Sequence, residues 1–443
     1  MATIHIGFDD TDSPAGGCTT YIAALLVEKL QKMGVIFKDY PNLVRLNPNV
    51  PWKTRGNGAL CLRIECNTDL VEEIFDIVTD TVEKNSQLGV KNTDPGVVFL
   101  RGDTIPREIR IFARETIQSI VTLKHALKLL RRFGAEALGY GSRDGLIGSL
   151  AAVGETLEGD HTFEVIAYRT PKYLGTFRQV DPTSVREMDK KMRALTFNNV
   201  DPERRRVLIT PRGPDPILYG IRGETPEAVV KAHEMIESSE PVERWAVFRT
   251  NHGTDAHLKR AKDIKEIKPY KPVIARGFVA SAPRLVPKRH RIFSLKDESG
   301  EIDCAAYEPT GTLRKIARNL IASDQVEVCG GVRPASKDNP ITVNLEKIRI
   351  LKLAPKLKLL NPECPKCGKR MKSKGAKQGF KCWSCGFNSS VSKKIAVEEE
   401  RGIRPGLYIA SPRSQRHLTK PTIRYGKEKT GKLGRMIDYW HSL

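Results

Sequence analysis

Three aspartates within four residues, Asp9, Asp10 and Asp12, end the first strand-like segment of the chain. Residues 3–8 alternate apolar and polar side chains, which predicts a half-buried strand. Carboxylates this close repel one another, and a hard divalent cation bound to phosphate offsets that repulsion. An Asp-rich turn that caps the following helix is the alternative interpretation. We predict that these aspartates are catalytic and hold magnesium with a nucleotide.

Glycine-containing loops supply candidate phosphate contacts. Gly16 and Gly17 precede a predicted helix over residues 19–32, whose free amides suit a phosphate. The loop Lys53–Gly58 offers two cations, and Gly139–Gly145 nearly matches GxGxxG, with Asp144 in place of the last glycine. Ordinary turns would explain both later loops equally well. The predicted nucleotide-binding residues are Gly16, Gly17, Lys53, Arg55, Gly139, Gly141 and Arg143.

Four of the nine cysteines form two CxxC pairs. Cys364 and Cys367, with Cys382 and Cys385, have the spacing of a tetrahedral zinc site. Two disulfides or a redox pair are the alternatives. With four sulfur ligands, zinc has no open position, so its role would be structural. Basic and aromatic residues around these cysteines suit phosphates and bases, or form a solvated face. The RNA-binding candidates are Lys369, Arg370, Lys372, Phe380 and Trp383.

The formal net charge of +22 indicates a polyanionic partner. A generally basic proteome or a solubility effect would be the simpler explanation. However, the acidic candidates lie near the N-terminus and the last 90 residues are strongly basic, which favours catalysis at one end and nucleic-acid binding at the other. No apolar run approaches a membrane span, and no signal peptide is evident. We expect a soluble, cytoplasmic protein.

The chain is long enough for several domains. Residues 1–168 predict an α/β or α+β unit, with a strand at 59–66 and helices at 19–32, 70–83, 120–133 and 146–153. A strand at 206–209, a helix at 226–238 and a strand at 245–248 suggest a ferredoxin-like unit at 169–268. Five short strands at 271–354, with a helix at 312–321 after the third, predict an OB-fold barrel. A zinc ribbon at 360–390 and a basic C-terminal tail at 391–443 complete the organisation.

Taken together, these motifs resemble the archaeal tRNA(Ile) 2-agmatinylcytidine synthetase family. The resemblance covers nearly the whole chain. It departs from the family pattern at His252, where we expect an amide side chain, and at Asp144 in the glycine loop. The segments that carry it are Gly7–Ser13, Cys18–Tyr21, Arg45–Pro48, Lys53–Gly58, Gly213–Pro216, Tyr219–Gly223, Thr250–Asn251 and Gly253–His257, together with the barrel and the ribbon.

The resemblance implies an ATP-dependent ligase with a kinase-like N-terminal domain. Such an enzyme attaches agmatine to C2 of the wobble cytidine in the CAU anticodon of an isoleucine tRNA, which then decodes AUA. The C2 oxygen is first phosphorylated, as is a threonine that matches Thr19, and ATP ends as AMP and phosphate. Lys53 and Arg55 are candidates to neutralise charge on ATP. Asp215 or Asp255 would bind the agmatine guanidinium, unless both are turn residues.

Two other functions are compatible with parts of this pattern. One is a different ATP-dependent enzyme, such as an RNA kinase or a ligase for another amine. The other is a non-catalytic RNA- or DNA-binding factor with an OB fold and a zinc ribbon. A binder of polyanions has no use for Asp9, Asp10 and Asp12 beside its ligand, so the sequence favours an enzyme.

Overall fold

The computed structural model describes residues 1–287, 290–391 and 393–442. Its largest element is a ten-stranded sheet. The strands of this sheet are β1 (Ala2–Asp9), β2 (Ile36–Phe37), β3 (Asn42–Arg45), β4 (Gly58–Cys66), β5 (Gly96–Arg101), β6 (Glu136–Gly139), β7 (Thr162–Arg169), β8 (Thr196–Phe197), β11 (Ile217–Gly223) and β12 (Val242–Thr250). Their order is β6-β5-β1-β4-β3-β12-β7-β11-β8, and β2 pairs with β4. The pairing of β3 with β12 is parallel. A separate pair joins β9 (Val200–Asp201) to β10 (Arg206–Val207).

Two apolar layers pack helices onto this sheet. One layer contains the helices α1 (Thr19–Lys32), α2 (Val71–Asn85), α6 (Pro182–Lys191) and α7 (Pro226–His233). The other contains α3 (Arg107–Gln118), α4 (Leu123–Arg132) and α5 (Gly145–Gly154). Helix α5 lies very close to β1 because Gly7 has no side chain: a Cβ there would overlap the Ser149 carbonyl oxygen. This close approach brings α5 to the end of the strand that carries Asp9.

The α/β character is confirmed, whereas several predicted boundaries differ. The sheet is continuous across the predicted division between residues 168 and 169, because β7 pairs with β11 and β12. The helix predicted from residue 120 begins at Leu123, since the Thr122 hydroxyl caps it by accepting the His125 amide. The strand predicted at 206–209 is reduced to two residues. The helix predicted to reach Ser238 ends at His233, and Ser238 instead bridges to Val180.

A second sheet closes into a five-stranded barrel, as predicted. The barrel strands are β14 (Val273–Val279), β16 (His290–Lys296), β17 (Glu301–Ala306), β18 (Gln325–Arg333) and β19 (Thr342–Lys352), and the added strands are β13 (Lys259–Arg260), β15 (Arg284–Val286) and β25 (Gly406–Ile409). Each of the five barrel strands pairs with the next around the ring, with β16 closing onto β14. In chain order, helix α8 (Thr312–Arg318) follows the third barrel strand, β17, and precedes the fourth, β18.

The ribbon sits on a two-stranded stalk, β20 (Leu357–Leu360) with β24 (Ile395–Glu398). It contains the short strands β21 (Lys372–Ser373), β22 (Phe380–Lys381) and β23 (Asn388–Ser389). The ligand atoms of its four cysteines all lie within 4.8 Å of one another. The Sγ atoms of Cys364 and Cys385 are 3.5 Å apart, too far for a disulfide and suitable for thiolates that share one metal. The predicted metal ligands therefore converge.

Residues 401–442, here called the C-terminal strap, run from the barrel back to the large sheet. The Trp440 ring packs edge-on against Tyr40 and Phe37 in the core of that sheet. Arg424 is fully buried: its guanidinium donates to Glu224 at 2.9 Å and to Asp160 at 2.8 Å. Part of the predicted basic tail is therefore not free for nucleic acid, because carboxylates of the folded body bind Arg401, Arg413, Lys420, Arg424 and Lys429. No helix in the described ranges is long and apolar enough to cross a membrane.

We predict that Arg424→Met destabilises the fold by about 3 kcal/mol, because Asp160 and Glu224 lose their buried partner and keep only Lys420 and Lys429. Urea unfolding followed by circular dichroism measures this change. Arg435→Met is the matched control: Arg435 lies in the same strap but pairs with Asp438 in solvent, and its loss should change little. Equal stability of the two variants would contradict a structural role for Arg424.

We also predict that Cys382→Ser abolishes the binding of one zinc equivalent. The remaining three thiolates leave the tetrahedral site incomplete, and the small ribbon core around Met371 and Phe380 loses its anchor. Metal analysis of the purified protein gives the stoichiometry. Cys329→Ser, a buried thiol of the barrel, should retain the full zinc content. Zinc retained in Cys382→Ser would exclude this cysteine as a ligand.

Candidate functional site

The predicted catalytic residues line a cavity of about 360 Å³, here called the central cavity. It lies where β1 ends and α1 begins, and residues of β3, β7 and β11 also line it. The residues around it that carry chemistry are Asp9, Asp10, Asp12, Cys18, Thr19, Arg45, Lys53, Arg55, Asn57, Glu164, Asp215, Arg222 and His417. The structure therefore brings the N-terminal aspartates together with residues more than 150 positions away.

An adjoining hollow of about 310 Å³, here called the acidic cavity, shares Asp9, Asp10 and Lys53 with the central cavity. Asp94 and Asp144 also line it. Burial and the neighbouring Asp10 carboxylate raise the pKa of Asp9 well above its usual value. Burial also raises the pKa of Asp10 to about 6. Neither carboxylate forms a salt bridge with a described residue, and such an arrangement suits a site that binds a cation.

Asp10 and Asp9 are positioned by backbone and packing rather than by salt bridges. Asp10 adopts a left-handed backbone with φ of 59°, a conformation that aspartate tolerates. Its Oδ2 accepts the Asp94 amide at 3.0 Å. Gly148 of α5 leaves the room that the Asp9 carboxylate occupies, because a Cβ at this position would overlap Asp9 Oδ2.

Thr19 is the first residue of α1, and its hydroxyl lies in the wall of the central cavity. Thr11 Oγ1 donates to Thr19 Oγ1 at 3.0 Å. The side chain of the N-cap residue Cys18 makes no capping hydrogen bond, so the Thr19 and Thr20 amides remain available to an anion. Gly17 has a φ of +76°, and a side chain there would crowd the Thr11 carbonyl oxygen. Gly17 thus sets the turn that directs α1 toward the cavity.

Arg55 bridges the two sides of the central cavity. Its Nε donates to Asp12 Oδ2 at 2.6 Å, and its Nη1 lies 3.3 Å from Asp215 Oδ2. Its third contact is the Gly17 carbonyl oxygen at 2.6 Å. Asp215 also accepts from Arg178 at 3.2 Å. Burial nevertheless raises the pKa of Asp215, so each cation that approaches this carboxylate stabilises its charged form.

Glu164 is a buried charge in the floor of the cavity. Arg222 Nε donates to its Oε1 at 2.8 Å, and Arg45 lies 3.5 Å from its Oε2. Burial alone would raise the pKa of Glu164, but Arg222, His252 and Arg45 hold it well below the usual range. His417 of the C-terminal strap packs edge-on against His252. The Arg45 guanidinium, together with burial, keeps the pKa of His417 well below its usual range, so the imidazole is neutral.

Some predicted site residues lie elsewhere. Gly139, Gly141 and Arg143 line neither the central nor the acidic cavity; Gly141 instead allows its turn to approach the Asp94 side chain. Asp255 is also outside both cavities, where Lys347 and the Lys420 amide bind its carboxylate. The polar turn after β12 is thus a structural joint between sheet, barrel and strap.

The predicted RNA-binding residues of the ribbon separate into two groups. Trp383 is 71% exposed, with Lys372 and Lys381 lying over its ring at 5.6 and 5.5 Å. Phe380, in contrast, is buried against the cysteine cluster, so its predicted stacking on bases is incompatible with the folded ribbon. Lys369 is exposed, and Arg370 pairs with Glu363 at 3.0 Å.

Sequence reasoning missed Asp94, Glu164, Arg178 and His417. Asp94 precedes Pro95 and Gly96 and looks like an ordinary turn residue. Glu164 had a usable signal, since a lone carboxylate inside the apolar run 162–168 requires a buried partner. Arg178 and His417 lie far from the other site residues in sequence, and only the folded chain brings them to the cavity.

Three family models match the chain. The TiaS TCKD domain matches residues 5–142, the TiaS FLD domain matches residues 143–257, and the TiaS C-terminal zinc ribbon domain matches residues 361–403. The first two models meet at residues 142 and 143, between the Asp94-contacting turn and α5. The third covers the four-cysteine cluster, which supports a structural zinc ion there.

The chain is also similar to curated and structurally solved proteins along nearly its entire length. It is 43% identical over 426 residues to the isoleucine-tRNA 2-agmatinylcytidine synthetase TiaS of Methanosarcina mazei, covering 95% of this chain and 97% of that protein. The protein of the same name from Pyrococcus horikoshii is 42% identical over 420 residues, with 95% and 97% covered.

Solved structures agree with these sequence relationships. The crystal structure of apo TiaS, an isoleucine-tRNA agmatidine synthetase, has a TM-score of 0.86 at 38% identity, covering 98% of this chain and 100% of that one. The crystal structure of TiaS in complex with its isoleucine tRNA, AMPCPP and agmatine has a TM-score of 0.84 at 37% identity, covering 96% and 98%. On the strength of this full-length identity and shared fold, the chain belongs to the TiaS family of isoleucine-tRNA 2-agmatinylcytidine synthetases.

Proposed function

We propose that this chain is a cytoplasmic ATP-dependent ligase that attaches agmatine to C2 of the wobble cytidine of an isoleucine tRNA. The tRNA carries a CAU anticodon, and the product decodes AUA. The observation that carries the proposal is the shared wall of the acidic and central cavities, Asp9 and Asp10 with Lys53. The acidic cavity, the proposed site of the metal and nucleotide, is therefore continuous with the central cavity, which is lined by both acidic and basic residues. The family's crystallised complex with an isoleucine tRNA, AMPCPP and agmatine supports the same set of substrates.

The acidic cavity is the proposed kinase-like half of the site. Asp9 and Asp10 supply oxygen ligands that Mg²⁺ prefers, with Asp144 in the same hollow, while Lys53 faces the phosphates. Asp12, the third predicted ligand, lies outside this hollow and is bound by Arg55. Magnesium, when bound, neutralises charge on the triphosphate. The uncapped amino end of α1, with Gly16 and Gly17 before it, is the proposed phosphate contact from the central side.

The chemistry requires a phosphoryl transfer before amine attack. A C2 carbonyl oxygen is a poor leaving group, so the γ-phosphoryl group of ATP is transferred to it first, which leaves ADP. The amine of agmatine then forms the C2–N bond as the C2–O bond breaks, and the departing phosphate takes the oxygen and the amine proton. Thr19 is the proposed acceptor of the second phosphoryl group, from ADP, which leaves AMP, since its hydroxyl lies in the cavity wall beside Thr11; hydrolysis of the phosphothreonine releases that phosphate.

Asp215 is the proposed partner of the agmatine guanidinium. It lines the central cavity, and its buried carboxylate is placed between Arg55 and Arg178. A ligand guanidinium would replace the long 3.3 Å contact from Arg55 and leave Arg55 on Asp12. Asp255, the other sequence candidate, is bound by Lys347 outside the cavity, so Asp215 is the better supported of the two.

RNA binding is assigned to the barrel and the ribbon. Trp383 offers an exposed ring flanked by two lysines, which suits stacking on a splayed base near phosphates. In this proposal the ferredoxin-like unit, predicted at 169–268, also includes β7 because this strand pairs with β11 and β12. Residues 271–354 form an OB-type barrel that holds the anticodon region beside the central cavity. A flipped wobble cytidine can then reach the phosphorylation site.

The proposed function is tested with ATP, Mg²⁺, labelled agmatine and an unmodified isoleucine tRNA transcript with a CAU anticodon. We expect label in this tRNA and none in an elongator methionine tRNA with the same anticodon. Gly148→Ala should reduce incorporation at least tenfold, because the added methyl displaces the Asp9 carboxylate. Gly159→Ala, where a methyl meets nothing within 4 Å, is the control. Tight binding of both tRNAs without label would instead indicate a non-catalytic RNA-binding factor.

Asp215→Asn tests the agmatine assignment. The amide keeps the size of the side chain but removes the charge that attracts a guanidinium. We expect KM for agmatine to rise roughly tenfold or more while KM for ATP stays within about twofold. Asp255→Asn is the comparison: it should leave KM for agmatine unchanged and lower thermal stability. A rise in KM for agmatine in Asp255→Asn alone would reverse the assignment.

A further inference from the structure

A third hollow, of about 360 Å³, lies where the loop after Val50 meets the C-terminal strap. We call it the basic cavity. It shares Arg45, Arg55 and His417 with the central cavity, so the two are contiguous. No carboxylate is among its lining residues, in contrast to the acidic cavity. Its chemistry therefore suits an anion that arrives without a divalent cation.

Two of its cations have no carboxylate partner. Arg45 is paired with Glu164, and Arg55 is paired with Asp12. For Lys53 and Arg416, no ion pair is formed within the part of the chain that the structure describes; the Lys53 ammonium donates to the Val50 carbonyl oxygen at 3.2 Å. Positive charge that is not used inside the fold is thus concentrated at this cavity.

Arg416 differs from the cations that surround it in the strap. Arg413 pairs with Asp201, Lys420 with Asp160, and Arg424 with both Asp160 and Glu224. These three side chains hold the strap to the body of the protein. Arg416 lies between them in sequence, is exposed, and lines the basic cavity but neither of the other two cavities.

The two unpaired cations also repel each other. Burial and the charge of Arg416 together lower the pKa of Lys53. A bound anion would relieve both effects, because it replaces lost solvation and separates the like charges. The Glu346 carboxylate attracts Arg416 without forming an ion pair with it. Cations that the fold holds near one another without a direct ion pair favour a phosphate ligand.

We propose that Arg416 forms a subsite for a backbone phosphate of the RNA substrate beside the nucleotide that is modified. Lys53, which lines all three cavities, lies between this phosphate and those of ATP. This inference rests on the proposed function for the identity of the RNA. The alternative source of a phosphate is ATP itself. RNA is favoured because a nucleotide triphosphate needs the metal-binding carboxylates that this cavity lacks. The strap also leads from β25 on the barrel directly to Arg416, so RNA bound along the barrel would pass this side chain.

The test compares Arg416→Ala with Arg435→Ala, an exposed arginine of the same strap. Equilibrium binding of the isoleucine tRNA is measured over a range of salt concentrations, without agmatine, and ATP binding is measured separately. Arg416→Ala should weaken tRNA binding roughly tenfold and reduce the salt slope by about one, with ATP binding unchanged. Arg435→Ala should match the wild type. Thermal melting of both variants confirms that each is folded.

Replacing single anticodon-loop phosphates by neutral methylphosphonates locates the contact. One replacement beside the target cytidine should weaken binding to the wild type but not to Arg416→Ala, because the arginine and the phosphate act as a pair. Loss of ATP affinity in Arg416→Ala would assign the cavity to the nucleotide and overturn the proposal, as would unchanged tRNA binding. These readouts need no turnover, so a chain that binds tRNA in this way but transfers no agmatine would refute the proposed function alone.

Discussion

The crowding of carboxylates at the end of β1 is the constraint around which the site is built. Asp9, Asp10, Asp94 and Asp144 all face one hollow, and the pKa values of Asp9 and Asp10 are raised by burial and mutual repulsion. Such a group of acids destabilises a fold unless a cation offsets it. Backbone features hold it in place: the left-handed Asp10, the Asp94 amide, and a glycine of α5 that leaves space for Asp9. The fold thus holds together carboxylates whose repulsion either a proton or a bound cation would offset.

Arginines have a different role, because they connect segments that are distant in sequence. Arg55 links Asp12 to Asp215, and Arg424 links the strap to Asp160 and Glu224. A planar guanidinium binds two carboxylates through a fixed fork of five donors, whereas the lysine ammonium is a point charge on a flexible stem. The large positive charge of the chain is therefore only partly available to a nucleic acid. Much of it is used to close the molecule on itself.

The sequence predicted local structure well and long-range assembly poorly. Strand alternation located β1 and the barrel strands, and the CxxC spacing located the metal ligands, because these signals lie within short segments. The aspartate cluster lines the central and acidic cavities, and its catalytic role stays a prediction. The errors arose where partners are distant: Phe380 looked like a stacking residue but fills the ribbon core, and the basic strap looked free although Arg424 has no exposed surface. Composition gives the number of charged residues, whereas only the tertiary structure shows which of them form ion pairs.

The three contiguous cavities determine where each substrate of the proposed reaction binds. Carboxylates line one side, Arg416 the other, and a mixed-charge space lies between them, with Lys53 lining all three cavities. In the proposed reaction, the metal-bound triphosphate is stabilised on the acidic side and a bare RNA phosphate on the basic side. The nucleotide between them is then held within reach of Thr19 and Asp215. The orientation of the substrates thus follows from the separation of charge across the three cavities.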